Sequence, residues 1–543
     1  MYFRQLFRAG VILFSFGATL VGNNTEVITI GDCRELFVDA FLVDHLRGNA
    51  ELQMHQPIPR EIVLETSEPW EGNGTNYVTV FQDEGIYRMY YRGSHYSYLG
   101  GKDRPDHRDV YCYAESRDGI VWQKPNLGLF EWDGSKQNNI ILDGIGRHAF
   151  APFRDRNPHC APDALYKAIG WKGPAKGLYA FKSMDGIHWK LLAPDPVITD
   201  GAFDSMNLAF WDAVAGEYRS YHRDFRRDGA TDLILAGIDR GRDIKTAHSA
   251  DFIHWSEPEW LNYRANVNPG KTPSDTSHQN NAADYPSGRV SELYTNQILP
   301  YYRAPHILLG FPTRYTDRGW TESSKALPRY DYRKIRATSP TDTMPQGSRR
   351  EGTAVTDGMF MTSRDRKNFS IWPESFIRPG LRSRDSWFYG DMYQNWGLVE
   401  TKSSLLDAPA ELSIYVTERT LQETGGIIRR YSMRIDGFGS LHAPLVGGEL
   451  VTKPLIFLGN KLGLNFSTSG VGSIRIEIQD SEGHPLPGYS LKECPEIYGD
   501  NLEYLVRWMK TSDLRSLAGR PVRLRFVLKD ADLYSFQFTT GSL

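Results

Sequence analysis

Apolar and polar residues alternate along most of the chain with the two-residue period of half-buried strands, and the 3.6-residue period of an amphipathic helix is absent. Five aromatic-rich strands stand out: GIYRMYYRG (85–93), ALYKAIG (164–170), GEYRSYHRD (216–224), APHILLGFP (304–312) and ELSIYVTER (411–419). Each follows another short strand, NYVTVFQD, HAFAPFRD, MNLAFWD, SELYTNQIL and DMYQNWGLV respectively. Behind the first four comes a repeated turn: ESRDGIVW, KSMDGIHW, HSADFIHW and the weaker TSRDRKNF, with Asp118, Asp185, Asp251 and Asp365 in register. The Asp-Gly pair is a strong hairpin signal, and the Trp or Phe four residues after the Asp is placed to pack between neighbouring units.

Five units of roughly 66 residues, each about four strands, predict an all-β chain: a five-bladed β-propeller over 35–440. The fourth turn arrives late, so 264–286 and 316–352, both polar, rich in Pro and Gly and aperiodic, are expected to be long loops. The tail alternates again in GSIRIEIQD (472–480) and RPVRLRFVLKDADLYSFQF (520–538), which predicts a β-sandwich over 441–543.

Charge narrows the function classes. Lys and Arg number 63 against 66 Asp and Glu, so there is no basic footprint for nucleic acid. Arg4 and Arg8 precede an apolar run from Ala9 to Val21, which reads as a secretory signal over 1–23 and a secreted or periplasmic product. No later stretch is apolar enough to cross a bilayer. Cys33, Cys112, Cys160 and Cys494 lack CxxC spacing, which argues against zinc and for buried free thiols; His188 and His254, inside the repeat, read as packing residues. No motif calls for a cofactor or a metal.

In a propeller the first strand of each blade lines the central channel, so polar groups at its start converge on one funnel. Those positions offer Glu71, Asp155, Asp204, Glu292 and Asp391. A crowd of carboxyls pushes pKa values apart and suits general acid and base work; Asp155, Asp204, Asp391 and Glu71 are the candidate catalytic acids. The second strands bring Arg92, Arg223, Arg314 and Glu418 to the same rim, and Arg154 adjoins Asp155. Arginines there can grip sugar hydroxyls or an anionic group, so Arg92, Arg154, Arg314 and Glu418 are the candidate substrate-binding residues. The bland alternative is that acids cap turns and arginines hold them.

The repeat, the FRD segment and the funnel acids resemble the five-bladed glycosidases of glycoside hydrolase families 32 and 43. SRDGIVWQKPNLGLFEWDGSKQNNI, ELYTNQILPY, LLGFPTRY and DGFGSLHAP are similar to exported bacterial family-32-like proteins. The resemblance implies that Asp155 matches the sugar-binding aspartate of the family's RDP motif and that Asp204 stands where the acid falls. The family's nucleophile motif WMNDPNG is missing, leaving Asp39 and Glu71 nearby, and the one ECP, at Glu493–Pro495, lies in the tail. The expectation is an exported glycoside hydrolase acting on a plant or algal polysaccharide or oligosaccharide, with a non-catalytic carbohydrate-binding propeller as the alternative.

Overall fold

The repeated turn is a closed hydrogen-bond motif. Ser116 Oγ accepts from the Gly119 amide at 2.9 Å, and Asp118 Oδ1 accepts from the amides of Ile120 and Val121, each at 2.8 Å. The indole of Trp122 donates back to the Gly119 carbonyl at 3.1 Å. Ser183/Asp185/Trp189 and Ser249/Asp251/Trp255 repeat the same bonds, and Ser363/Asp365 keep the polar half of the motif. His188 and His254, expected to pack, instead lie exposed, each ring 2.7 Å from its turn aspartate. Their position immediately before the packing Trp points them outward.

These turns sit in a computed structural model that describes residues 26–97, 104–105, 107–226, 241–266, 291–338, 352–422 and 425–540. The expected signal segment and most of the first long loop lie outside the described residues. The chain is nearly all β, in a propeller-like arrangement. Four sheets carry the turn. The first runs Thr79–Asp83, Ile86–Gly93, Val110–Ser116, Trp122–Gln123; the second Ala149–Arg154, Tyr166–Trp171, Leu178–Ser183, Lys190–Leu191; the third Leu208–Asp212, Glu217–Arg226, Gly241–Ser249, Glu259–Trp260. The fourth centres on Ala304–Gly310, Ala354–Ser363 and Asn368–Ile377, with Asn262–Ala265 added in parallel at its edge.

Among the described residues, the expected count of five blades is corrected to four. The remaining propeller-like sheet has no such turn, and its outer strand is Ile58–Glu65 from the other end of the chain, paired with Ile427–Met433. Its inner edge meets the first sheet through Val80 N–H to Trp396 O at 2.8 Å and Trp396 N–H to Val78 O at 2.9 Å.

A second correction concerns the tail. Its strands join one eight-stranded hydrogen-bonded network, to which Arg34–Leu36, Val43–Gly48 and Glu51–Met54 from the other end of the chain also belong. The long strands Lys461–Gln479 and Arg523–Thr539 slip register between Thr468 and Ser473, an irregularity of the kind that bends a strand. One apolar core, including Phe37, Leu309, Phe360, Ile414, Phe438, Phe466 and Phe526, spans this sheet and the last two propeller-like sheets. The segment 316–352, expected as a loop, contains the helices Glu322–Lys325 and Tyr330–Thr338, the first capped by Thr321 Oγ1 on the Ser324 amide at 3.1 Å. All four cysteines are free; Cys112 and Cys494 are buried, whereas Cys33 is exposed and Cys160 half-buried.

Candidate functional site

Strand direction decides which polar groups meet. His148 immediately precedes the inner strand Ala149–Arg154, and Asp155 immediately follows it; at about 3.3 Å per residue the two lie about 23 Å apart. Around His148 the structure assembles a cluster. Its Nδ1 is 2.8 Å from Asp109 Oδ2 and its Nε2 is 2.9 Å from Asp204 Oδ1. Arg92 Nη1 approaches the same Nε2 at 3.0 Å, while Arg92 Nε and Nη2 donate to the Gly74 carbonyl at 3.1 and 3.0 Å. Gly74 is required there: a Cβ would fall 2.0 Å from Ser94 Oγ. The Trp171 ring meets His148 edge-on at 4.9 Å, and the Arg92 guanidinium lies 5.1 Å from the Tyr77 ring centre.

Asp204 is the open member. Its side chain keeps 54% of its surface exposed while that of Asp109 keeps 4%. Crowding by protein would raise the Asp204 pKa, but the hydrogen bond and charge of His148, with Arg223 and Arg92 nearby, outweigh it and hold the carboxyl well below its usual range. Burial likewise opposes ionisation of Asp109, and the His148 hydrogen bond and Arg92 charge prevail, bringing it down to about 2. Tyrosines gather close by: the Tyr77 ring lies 6.0 Å from that of His148, Tyr389 Oη donates to Tyr294 Oη at 2.7 Å, and Tyr294 meets Tyr393 edge-on at 5.6 Å. Burial, followed by the Tyr294 charge, keeps the phenols of Tyr77, Tyr389 and Tyr393 far above their ordinary pKa.

Of the residues nominated from sequence, Arg92 and Asp204 meet here, both against His148. Asp155 does not. It is buried at the far end of its strand, bonded to Lys167 Nζ, to Tyr218 Oη at 2.7 Å and to the Asn157 amide at 2.9 Å. The position is a repeat: Asp83 ends the first inner strand and accepts from Tyr166 Oη of the next sheet at 2.6 Å, and Asp212 ends the third and pairs with Arg366 of the next at 2.7 Å. Arg154 belongs to this far end too, 3.2 Å from Asp83.

Glu71 is fully buried, accepting from Tyr91 Oη at 2.5 Å and Lys124 Nζ at 2.7 Å. Tyr91 and Arg92 point to opposite faces of their strand, so Glu71 is turned away from the cluster. Asp39, the other candidate from the missing nucleophile motif, is paired with Arg364 at 3.1 Å beside the C-terminal sheet. Arg314 is held by Asp357 at 2.9 and 2.5 Å and lines a separate hollow of about 890 Å³ with Arg318 and Trp387.

Asp391 and Glu418 come together elsewhere, lining a pocket of about 540 Å³ with Arg378, Arg419 and Tyr431. Asp391 is buried, and its oxygens accept backbone amides, from Trp387 at 3.1 Å and Arg419 at 3.2 Å. Burial, then the charge of Glu418, raise its pKa to about 7. Glu418 accepts from Arg429 Nε and Tyr431 Oη, each at 2.9 Å.

Sequence reasoning missed His148, Asp109, Tyr294 and Tyr389. A signal for the first was available: F-x-D recurs as Phe81–Asp83, Phe153–Asp155 and Phe210–Asp212, which marks the aspartate as a repeat position and moves attention to the strand's other end.

No family model matches the chain. It is 31% identical over 181 residues to an uncharacterized protein of Mycobacterium tuberculosis, in strains CDC 1551 and H37Rv alike, over 33% of this chain and 51% of that protein. The chain thus spans about half the length of the curated relatives it matches. Among solved structures it is similar to a glycoside hydrolase at 13% identity, over 70% of this chain and 93% of that one, with a TM-score of 0.40. A putative glycosidase from Bacteroides thetaiotaomicron follows at 13%, 69%, 96% and 0.37 in the same order. A thermostable family-43 glycoside hydrolase gives 11%, 69%, 95% and 0.36. These three solved neighbours are thus named as glycosidases, one of them of family 43, while the chemistry of the Asp204 cluster is read from its own residues.

Proposed function

We propose that the chain is a carbohydrate-active enzyme that cleaves glycosidic bonds of a plant or algal polysaccharide, or its oligosaccharides, at the open face of Asp204. One observation carries this reading. Asp204 is the single nominated acid that is both open and held ionised, whereas Asp155, Glu71 and Asp391 are sealed, at 4%, 0% and 1% exposure. An ionised carboxylate fixed by His148, beside tyrosines and arginines that suit sugar faces and hydroxyls, can attack a sugar carbon or activate water. Glycoside hydrolysis ordinarily also needs a carboxylic acid to protonate the leaving oxygen. Export follows from the basic and apolar start of the sequence.

The burial of the other three acids favours a second reading, a carbohydrate-binding propeller without turnover. Sugar release from a panel of polysaccharides separates the two. Asp204→Asn is expected to lower turnover about 10²- to 10⁴-fold with the fold intact. Turnover unchanged in Asp204→Asn overturns the site; binding of a glycan with no cleavage by the unaltered protein favours the second reading.

A further inference from the structure

Two arginines on adjacent strands of the third sheet share one pair of rings. Arg223 lies on Glu217–Arg226 and Arg242 on Gly241–Ser249, with Phe225 directly opposite Arg242 in the register. Arg223, Phe225 and Arg242 therefore share one face. The guanidinium carbons lie 5.2 and 5.6 Å from the Phe225 ring centre and 5.8 and 5.0 Å from that of Tyr294. Tyr294 belongs to the tyrosines already described, and Arg223 Nε donates to the carbonyl of Ala202, two residues before Asp204, so this face adjoins Asp204.

Arg223 keeps donors to spare there. Arg242 Nη1 is paired with Glu292, whose carboxyl approaches because residue 241 is glycine; a Cβ there would lie 2.6 Å from Glu292 Cδ. Arg242 Nε is sealed from solvent without a hydrogen-bond partner. Arg223, 5% exposed, donates Nε to the Ala202 carbonyl at 2.7 Å. Its two terminal nitrogens make no hydrogen bond with the described residues and are not sealed from solvent. Those terminal nitrogens are donors left for a ligand beside a second guanidinium, and the planar fork of arginine matches an oxyanion with two or more acceptor oxygens.

We infer that Arg223 and Arg242 form an oxyanion subsite beside Asp204, so that the ligand brings an acidic group: the carboxylate or sulfate of a charged sugar, or free phosphate. The substrate class rests on the carbohydrate reading above; the anion subsite itself does not.

Calorimetric titration of the full-length protein with inorganic phosphate, sulfate, glucuronate and glucose tests it. At least one of the three oxyanions is expected to bind at millimolar concentration and glucose not. Arg223→Gln is expected to weaken that binding about tenfold, a loss of about 1.4 kcal/mol; Arg314→Gln, in the separate hollow, is not. Phosphate bound more tightly than glucuronate identifies a free oxyanion, and the reverse order an acidic sugar. Failure of all three to bind, or affinity unchanged in Arg223→Gln, overturns the inference. Loss of sugar release in Asp204→Asn with oxyanion affinity unchanged in Arg223→Gln sinks the subsite and leaves the hydrolase reading standing. Arginine-dependent oxyanion binding without any sugar release does the converse.

Discussion

Asp155 and Asp204 are the same residue type with opposite surroundings. Asp155 is buried against Lys167, itself 6% exposed, so its removal leaves an uncompensated buried ammonium. Asp155→Ala is expected to cost about 3–5 kcal/mol, read as a lowered denaturation midpoint, whereas Asp204→Asn, at an open side chain whose amide still offers His148 a partner, is expected to cost less. Asp391 makes a prediction of a different kind. Its pKa is about 7 in the fold against about 4 in an unfolded chain. Between those values the folded protein holds a proton that the unfolded chain has lost, so the contribution present below pH about 4 disappears as pH rises through about 7, by at most about 1.4 kcal/mol per pH unit. Tm measured from pH 4 to 8 is expected to fall more steeply in the unaltered protein than in Asp391→Asn; parallel curves would show that Asp391 does not titrate there. The residue types of the site were legible in the sequence, and their grouping was not. Alternation tells which face of a strand a side chain takes but not which strand end carries the cluster, so HAFAPFRD suggested Asp155 and concealed His148.

Single elements were far more legible when their bonds were local. The Ser-x-Asp turn closes within eight residues, and its four copies lie where the pattern placed them. Its Trp does join neighbours: Trp189 meets Phe150 at 5.0 Å and Tyr90 of the preceding sheet at 6.4 Å, and Trp122 meets Tyr415 of the last sheet at 5.7 Å. Trp189→Ala is expected to cost about 3–5 kcal/mol through the cavity left between two sheets. Asp185→Ala, which removes the acceptor for the Ile187 and His188 amides, is expected to cost about 1–2 kcal/mol. Urea melts of the two variants check that order, and an equal or reversed cost would place the strength of the unit in the turn itself. Pairings set by distant partners were illegible: nothing in LNYRA announces that Asn262–Ala265 runs parallel to Asn368–Ile371.

At the scale of the molecule, the sequence suggested a propeller followed by a separate tail, and the structure interleaves them. The strands Arg34–Leu36, Val43–Gly48 and Glu51–Met54 pair with strands beyond residue 438, and the shared apolar core crosses between the two regions. A chain cut after residue 440 would expose that core, leave Arg34–Leu36 and Val43–Gly48 without partners and deprive Glu51–Met54 of half of its own. It is expected to be insoluble or to bind a hydrophobic dye, and a sharp cooperative melt of the soluble fragment would refute this. Alternating periodicity could not show the interleaving, because a strand's pattern carries no record of which distant strand it pairs with.

The strand Ile58–Glu65 also sets a timetable. Its partner is made late: Glu61 and Arg430, whose side chains pair across the two strands, are separated by 369 residues. At synthesis rates of about 5–20 residues per second the interval is roughly 20 to 75 seconds. Throughout that time the first-made strand has an unsatisfied edge, open to pairing with a neighbouring nascent chain. The sheet that joins the two strands can form only once Ile427–Met433 has been made, so a ribosome that stalls before residue 430 leaves Ile58–Glu65 without its partner, however complete the first three sheets.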